Sequence, residues 1–217
     1  MRKLTLAFLA AAAAAQPAYA EAGDWQVRLR GILVAPNEKS GDILPAFPGQ
    51  KVQVGNSFMP EVDVTFFVSD NVSLELIAAT TKHEIAGVTG ATGSIGKLAS
   101  TWVLPPTLTV QYRPLPGGKV HPYVGAGINW SLFYSENASN GLEAAVGKTN
   151  VHLSSSWGVA AQAGVDIDLN ERMFLNFDVK WIDMDTKARL TTTAAGVQRV
   201  KVGIDPLVFG AGLGIRF

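Results

Sequence analysis

From Trp25 to the C-terminus the chain alternates between apolar and polar residues with a period of two, and no other feature limits its fold so severely. Successive side chains of a strand point to opposite faces, so each such run is a β-strand with one greasy side. Trp25, Val27, Leu29 and Leu33 alternate with Gln26, Arg28 and Arg30, and Phe58, Pro60, Val62, Val64, Phe66 and Val68 with Glu61, Asp63 and Thr65. Val72, Leu74, Leu76 and Ala78 oppose Ser73, Glu75 and Ile77, and Leu108, Val110 and Tyr112 oppose Thr107, Thr109, Gln111 and Arg113. Four more runs follow, from Val124 to Leu132, Trp157 to Ile167, Met173 to Trp181 and Leu207 to Phe217, giving eight strands in all.

The spacers take turns in length. Breaks near 69–71, 114–120 and 169–172 are short, whereas 36–55, 83–101, 135–153 and 186–199 are long, polar and rich in Gly, Ser, Thr and Asn. A soluble sandwich has no reason to do this; a membrane barrel with short periplasmic turns and long extracellular loops does it as a rule. In hydrocarbon every backbone N–H and C=O needs an internal partner, so a sheet spans only if it closes on itself. The expected fold is all-β: one eight-stranded antiparallel transmembrane barrel over 21–217. Its apolar parity, carrying Trp25, Tyr112, Trp130, Trp157, Phe177 and Trp181, is expected to face lipid with aromatic residues toward the interfaces. The rival is a soluble β-barrel or sandwich with that parity turned inward.

The first 20 residues support export to a bacterial envelope. Arg2 and Lys3 precede an apolar core from Leu4 to Ala15, and Ala18-Tyr19-Ala20 fits the small-x-small pattern of a cleavage point, so 1–20 is expected to be a signal peptide. The full chain of 217 residues has 18 basic and 18 acidic side chains; losing Arg2 and Lys3 leaves the mature part slightly acidic and without a basic run. Nucleic acid is thereby excluded as a partner. With no cysteine there is no thiolate metal site and no Cys nucleophile. No metal cluster or phosphate loop is visible, so no cofactor is expected. The three histidines, His83, His121 and His152, fall in or beside loops and turns, and no catalytic role is expected of them.

Several segments, taken in order, resemble the OmpW family of small outer-membrane proteins: Glu75-Leu76-Ile77-Ala78-Ala79-Thr80, Leu104-Pro105-Pro106-Thr107-Leu108, Pro122 to Asn129, Ser156-Trp157-Gly158, Asp183-Met184-Asp185-Thr186, Ile204-Asp205-Pro206 and Gly214-Ile215-Arg216-Phe217. The resemblance implies a bacterial outer-membrane barrel with a narrow, partly hydrophobic lumen, linked to passage of small hydrophobic molecules and also to bacteriocin reception. It further implies that Phe217, an aromatic last residue, is read by the barrel-assembly machinery. One departure is Lys180, where family members often carry an inward aromatic on the seventh strand.

With odd strands rising and even strands descending, the inward charges collect low in the barrel. Arg28, Arg30, Glu61, Asp63, Glu75, Arg113, Asp166, Asp178, Lys180 and Arg216 are expected to form a charge plug, and Ile32, Val34, Ile77, Ile182 and Met184 an apolar channel above it. An eight-stranded barrel is wide enough only for its own side chains or one small ligand, which disfavours bulk diffusion. Pro60, Pro105, Pro106 and Pro206 cannot donate to the ladder and are candidates for a lateral exit into the membrane lipid; they also suit a barrel rim. The alternative to a conduit for small hydrophobic molecules is a closed structural or adhesion barrel acting through its external loops, among which Gly141 to Val146 has the composition of a short helix or contact site.

Overall fold

The structure is a computed structural model that describes residues 21–217; the leader expected over 1–20 lies outside the described residues. Along the chain come β1 (Trp25–Ala35), β2 (Lys39–Ser40), β3 (Val52–Val54), β4 (Ser57–Ser69), β5 (Val72–Ala79), β6 (Thr81–Gly87), α1 (Gly90–Ile95), β7 (Lys97–Leu104) and β8 (Thr107–Tyr112). They are followed by β9 (Val120–Ala138), α2 (Asn140–Val146), β10 (Thr149–Leu153), β11 (Ser156–Asp168), β12 (Met173–Ile182), β13 (Asp185–Thr192), β14 (Gly196–Gly203) and β15 (Leu207–Arg216).

Eight of these strands, β1, β4, β5, β8, β9, β11, β12 and β15, pair antiparallel in a ring that closes where β1 meets β15 and where β9 meets β11. Lone edges vanish by this closure, as hydrocarbon demands. The burial pattern is inverted relative to a water-soluble protein. Arg28, Asp63, Thr65, Glu75 and Asp166 are wholly buried inside, while Leu29, Phe58, Leu76, Val124 and Phe209 stand exposed on the outer wall. No described helix is long and apolar enough to cross a membrane. The rival soluble arrangement, with the apolar parity inward, is excluded by the inverted burial.

Aromatic residues collect at the two levels of the wall. Trp25 and Phe66 touch at 4.8 Å near the short-turn end, and Trp130 stacks on Trp157 at 5.2 Å near the other. Phe177, expected at an interface, instead sits midway along β12, opposite Val165 and Ala211 and four residues from both Met173 and Trp181. Where β15 crosses β1 the strands come so close that a Cβ on Gly212 would lie 2.0 Å from the Leu29 carbonyl oxygen.

The long spacers need correction. A spanning strand requires only about 9–11 residues, yet β9 runs for 19. Residues 83–101 and 135–153, expected as loops, are divided between strands (β6, β7, the end of β9 and β10) and the short helices α1 and α2, and 186–199 forms most of a hairpin of β13 with β14. The barrel wall thus continues upward as β3, β6, β7 and β9 on one side and as a separate sheet, ordered β10-β13-β14-β2, on the other. Gly141 to Val146 lies in α2, whose Ser139 side chain accepts from the Leu142 N–H at 3.1 Å.

Candidate functional site

Inside the lower barrel every inward charge finds an opposite one. Arg28 reaches Asp63 at 3.0 Å, Glu75 at 2.7 Å and Asp166 at 3.6 Å, and Arg30 reaches Glu61 at 2.7 Å, Asp63 at 2.9 Å and Asp178 at 3.7 Å. Arg113 holds Asp166 at 2.7 Å. Lys180 stands 3.4 Å from Glu61 and 3.9 Å from Asp178 and is the uppermost cation of the cluster. Arg216 pairs instead with Asp168 at 3.3 Å, and His121 joins the same carboxylate at 2.8 Å, at the short-turn mouth. All ten of the charges expected in the plug therefore lie in the lumen, in one large cluster and one small one.

Neutral members complete it. Gln162 and Thr109 bond Glu75, Tyr123 donates to Asp178 at 2.9 Å, and Asn176 bridges Tyr123 and Asp166. The inward rings of Phe67 and Phe174 cover the guanidinium groups of Arg113 and of Arg28 and Arg216. Sequence reasoning built the plug from charges alone and missed these residues, although each lies on the inward parity.

Above Lys180 and Glu61 the lumen turns apolar. Ile32, Val34, Ile77, Ile182 and Met184, the residues expected there, line a cavity together with Val208, Phe133 and Ile204. Its upper walls come largely from the segments read as polar loops, with Ile43, Val52 and Val54 before β4, Ile85 and Leu98 on β6 and β7, and Val151, Leu153 and Ala188 on the second sheet; Val103, Val200 and Val202, just beyond those segments, complete them. The empty space among these residues, open solvent at the mouth included, is about 1170 Å³. A stripe of Thr81, His83, Thr101 and Thr107 gives one wall some polarity. His83 lies above the girdle. Burial pushes its imidazole below the ordinary value, opposed by a hydrogen bond from Nδ1 to the Gly55 carbonyl at 2.8 Å.

The ladder around the cavity is interrupted at one place. Pairing of β5 with β8 ends at Ile77 and Thr107, and pairing of β6 with β7 starts at Thr81 and Val103, so Ala78 to Thr80 face Leu104 to Pro106 without a rung. On the other flank β4 pairs with β5 only from Glu61 upward in sequence, leaving Ser57 to Pro60 unpaired on that side. Pro60, Pro105 and Pro106 thus border one seam centred on Thr80. Pro206 lies on a different seam, which stays bridged because Ile182 donates to its carbonyl at 3.2 Å and Ile204 donates to Met184 at 2.7 Å.

The histidines are dispersed: His121 at the short-turn mouth, His83 in the cavity wall, and His152 exposed beside Glu136 at 3.8 Å. Among the described residues no group of three or more His, Asp or Glu is placed to hold a metal ion.

The arrangement has counterparts. A family model described as the OmpW family matches residues 21–217. Outer membrane protein W of Escherichia coli is 38% identical with both chains fully covered, and an outer-membrane protein of Sinorhizobium fredii is 39% identical over 89% of this chain and 80% of its own. The crystal structure of the outer membrane protein OprG from Pseudomonas aeruginosa superposes with a TM-score of 0.87 at 32% identity, over 93% of this chain and 99% of that one.

Proposed function

The chain belongs to the OmpW family of outer-membrane proteins, and on that premise we propose that it conducts small hydrophobic molecules from the exterior into the outer membrane. The carrying observation is a cavity with apolar walls whose floor, at Lys180 and Glu61, is a buried ion-pair network. Apolar groups gain about 25 cal/mol per Å² on leaving water, so such a cavity collects greasy molecules from outside. The floor stops them, because a molecule without hydrogen-bonding groups cannot replace the partners of a buried charge. The Thr80 seam supplies the way out: with rungs missing beside Pro60, Pro105 and Pro106, a sideways opening breaks few backbone hydrogen bonds. The chain is a conduit in this reading, without a catalytic step.

The test is uptake of a small hydrophobic probe by cells or liposomes bearing the barrel, against the same membranes without it. Ile77→Trp, which fills the cavity from its floor, is expected to return uptake to the level of the deletion. Uptake that is the same with wild type, Ile77→Trp and no barrel at all would remove the conduit and favour an adhesion barrel working through its external surface. Terminal Phe217, exposed and backbone-paired with Trp25 at the closing seam, is in the same reading the handle for the barrel-assembly machinery.

A further inference from the structure

The register of the β13–β14 hairpin sets Lys187 directly opposite Lys201 and Arg189 directly opposite Arg199. All four side chains are exposed on one face. His152 on β10 lies across from Arg189, and Lys39 on β2 lies across from Gly203, which extends the basic face over every strand of that sheet. Like charges directly opposite on neighbouring strands destabilise a sheet. The one carboxylate on the same parity of the hairpin, Asp185, sits at its membrane end opposite Gly203. The ion pairs among the described residues of the external region join Lys97 to Glu84 and His152 to Glu136, so none of the four cations takes part in one. Edge protection does not account for them, because β13 and β14 are the inner strands of their sheet.

The direction of the face identifies what would neutralise it. Its reverse side, with Ala188, Val200 and Val202, lines the cavity, so the cations point sideways from the barrel, on the same outward parity as Trp181 and Leu207. Lys187 and Arg189 follow Trp181 by six and eight residues, and Lys201 and Arg199 precede Leu207 by the same intervals. The polar zone of a simple bilayer adds only about 5–8 Å beyond the hydrocarbon, less than that length of strand spans at about 3.3 Å per residue. We propose that this face is a docking site for outer-leaflet glycolipid whose phosphates ride on an extended sugar head, the paired cations gripping phosphate groups beside the barrel wall. Bidentate Arg and point-charge Lys both suit that chemistry.

The folded barrel in detergent is incubated with purified lipopolysaccharide, intact or treated with phosphatase, and the glycolipid retained after washing is measured. Wild type is expected to retain the intact form about tenfold better than the dephosphorylated form, with the preference fading as salt rises. A variant carrying Lys187→Gln, Arg189→Gln, Arg199→Gln and Lys201→Gln is expected to lose the preference. Equal retention of the two forms, or an unchanged preference in the variant, overturns the proposal. So does displacement by inorganic phosphate at matched concentration, which assigns the face to free anion, or binding of a sulfated glycan in place of the lipid. Without glycolipid the variant is expected to melt at or above the wild-type temperature, because only repulsion has been removed. A lower midpoint there gives the cations a structural duty and overturns the proposal as well.

Discussion

Arg28 shows how the lumen is held together. It touches three carboxylates, and its guanidinium lies 5.4 Å from the ring centre of Tyr123 and 5.9 Å from that of Phe174. Truncation strands those carboxylates in a site with no water-like solvation, so Arg28→Ala is expected to cost about 3–5 kcal/mol in urea unfolding of the reconstituted barrel. His83 gives a pH dependence with a defined sign. Its folded value is lowered by burial, so as pH falls through the ordinary imidazole range the unfolded chain takes up a proton that the folded rim resists. Stability from this group is therefore present above about pH 6.5 and lost below it. Melting midpoints at about pH 7.5 and pH 5.5, on either side of the free imidazole value, should converge in His83→Gln relative to wild type. An identical pH response in the two proteins would refute that assignment.

Among elements, β15 depends most on its terminus. It closes the ring on β1, and Phe217 makes the last two backbone bonds of that pairing to Trp25, at 2.8 and 2.9 Å. Deleting Phe217 is expected to lower the heat-modifiable, folded barrel in outer membranes several-fold, measured by the migration shift of unboiled samples. Refolding of the same variant into detergent, where no machinery acts, should be little affected. The eight wall strands were legible in the sequence because hydrocarbon on one side and a charged lower lumen on the other enforce the alternation over most of each strand, although Ile32, Val34, Ile77 and Ile182 put apolar side chains on the inward parity above it. The extensions above the girdle were not. There Val200 and Val202 still alternate with Arg199 and Lys201, but Gly and Thr crowd the neighbouring turns, and the run from Gly196 reads as loop by composition. The ten charges expected in the plug were legible by parity, but Asp168 and His121 beside Arg216 were not counted among them, and Phe67 and Phe174 were hidden because an aromatic signals a lipid face before it signals a cation's cover.

The whole molecule joins two solvents' worth of structure in one wall, an inverted barrel below and an apolar-lined extension of that wall above. Its lumen carries buried charged side chains from Arg216 up to Lys180, and the proposed conduit needs this network to act as a seal against ions. In planar bilayers the double variant Arg28→Ala, Arg30→Ala is accordingly expected to pass several-fold more current than wild type; equal currents would mean that the network is not the seal. The position of that seal has a further consequence for whatever the barrel carries. In the proposed conduit, cargo turned aside at Lys180 would not meet the aqueous compartment beneath; it would arrive dissolved in acyl chains. The next handler would then be one that extracts its substrate from a membrane surface, and the rate of supply would follow how far the cargo prefers oil to water.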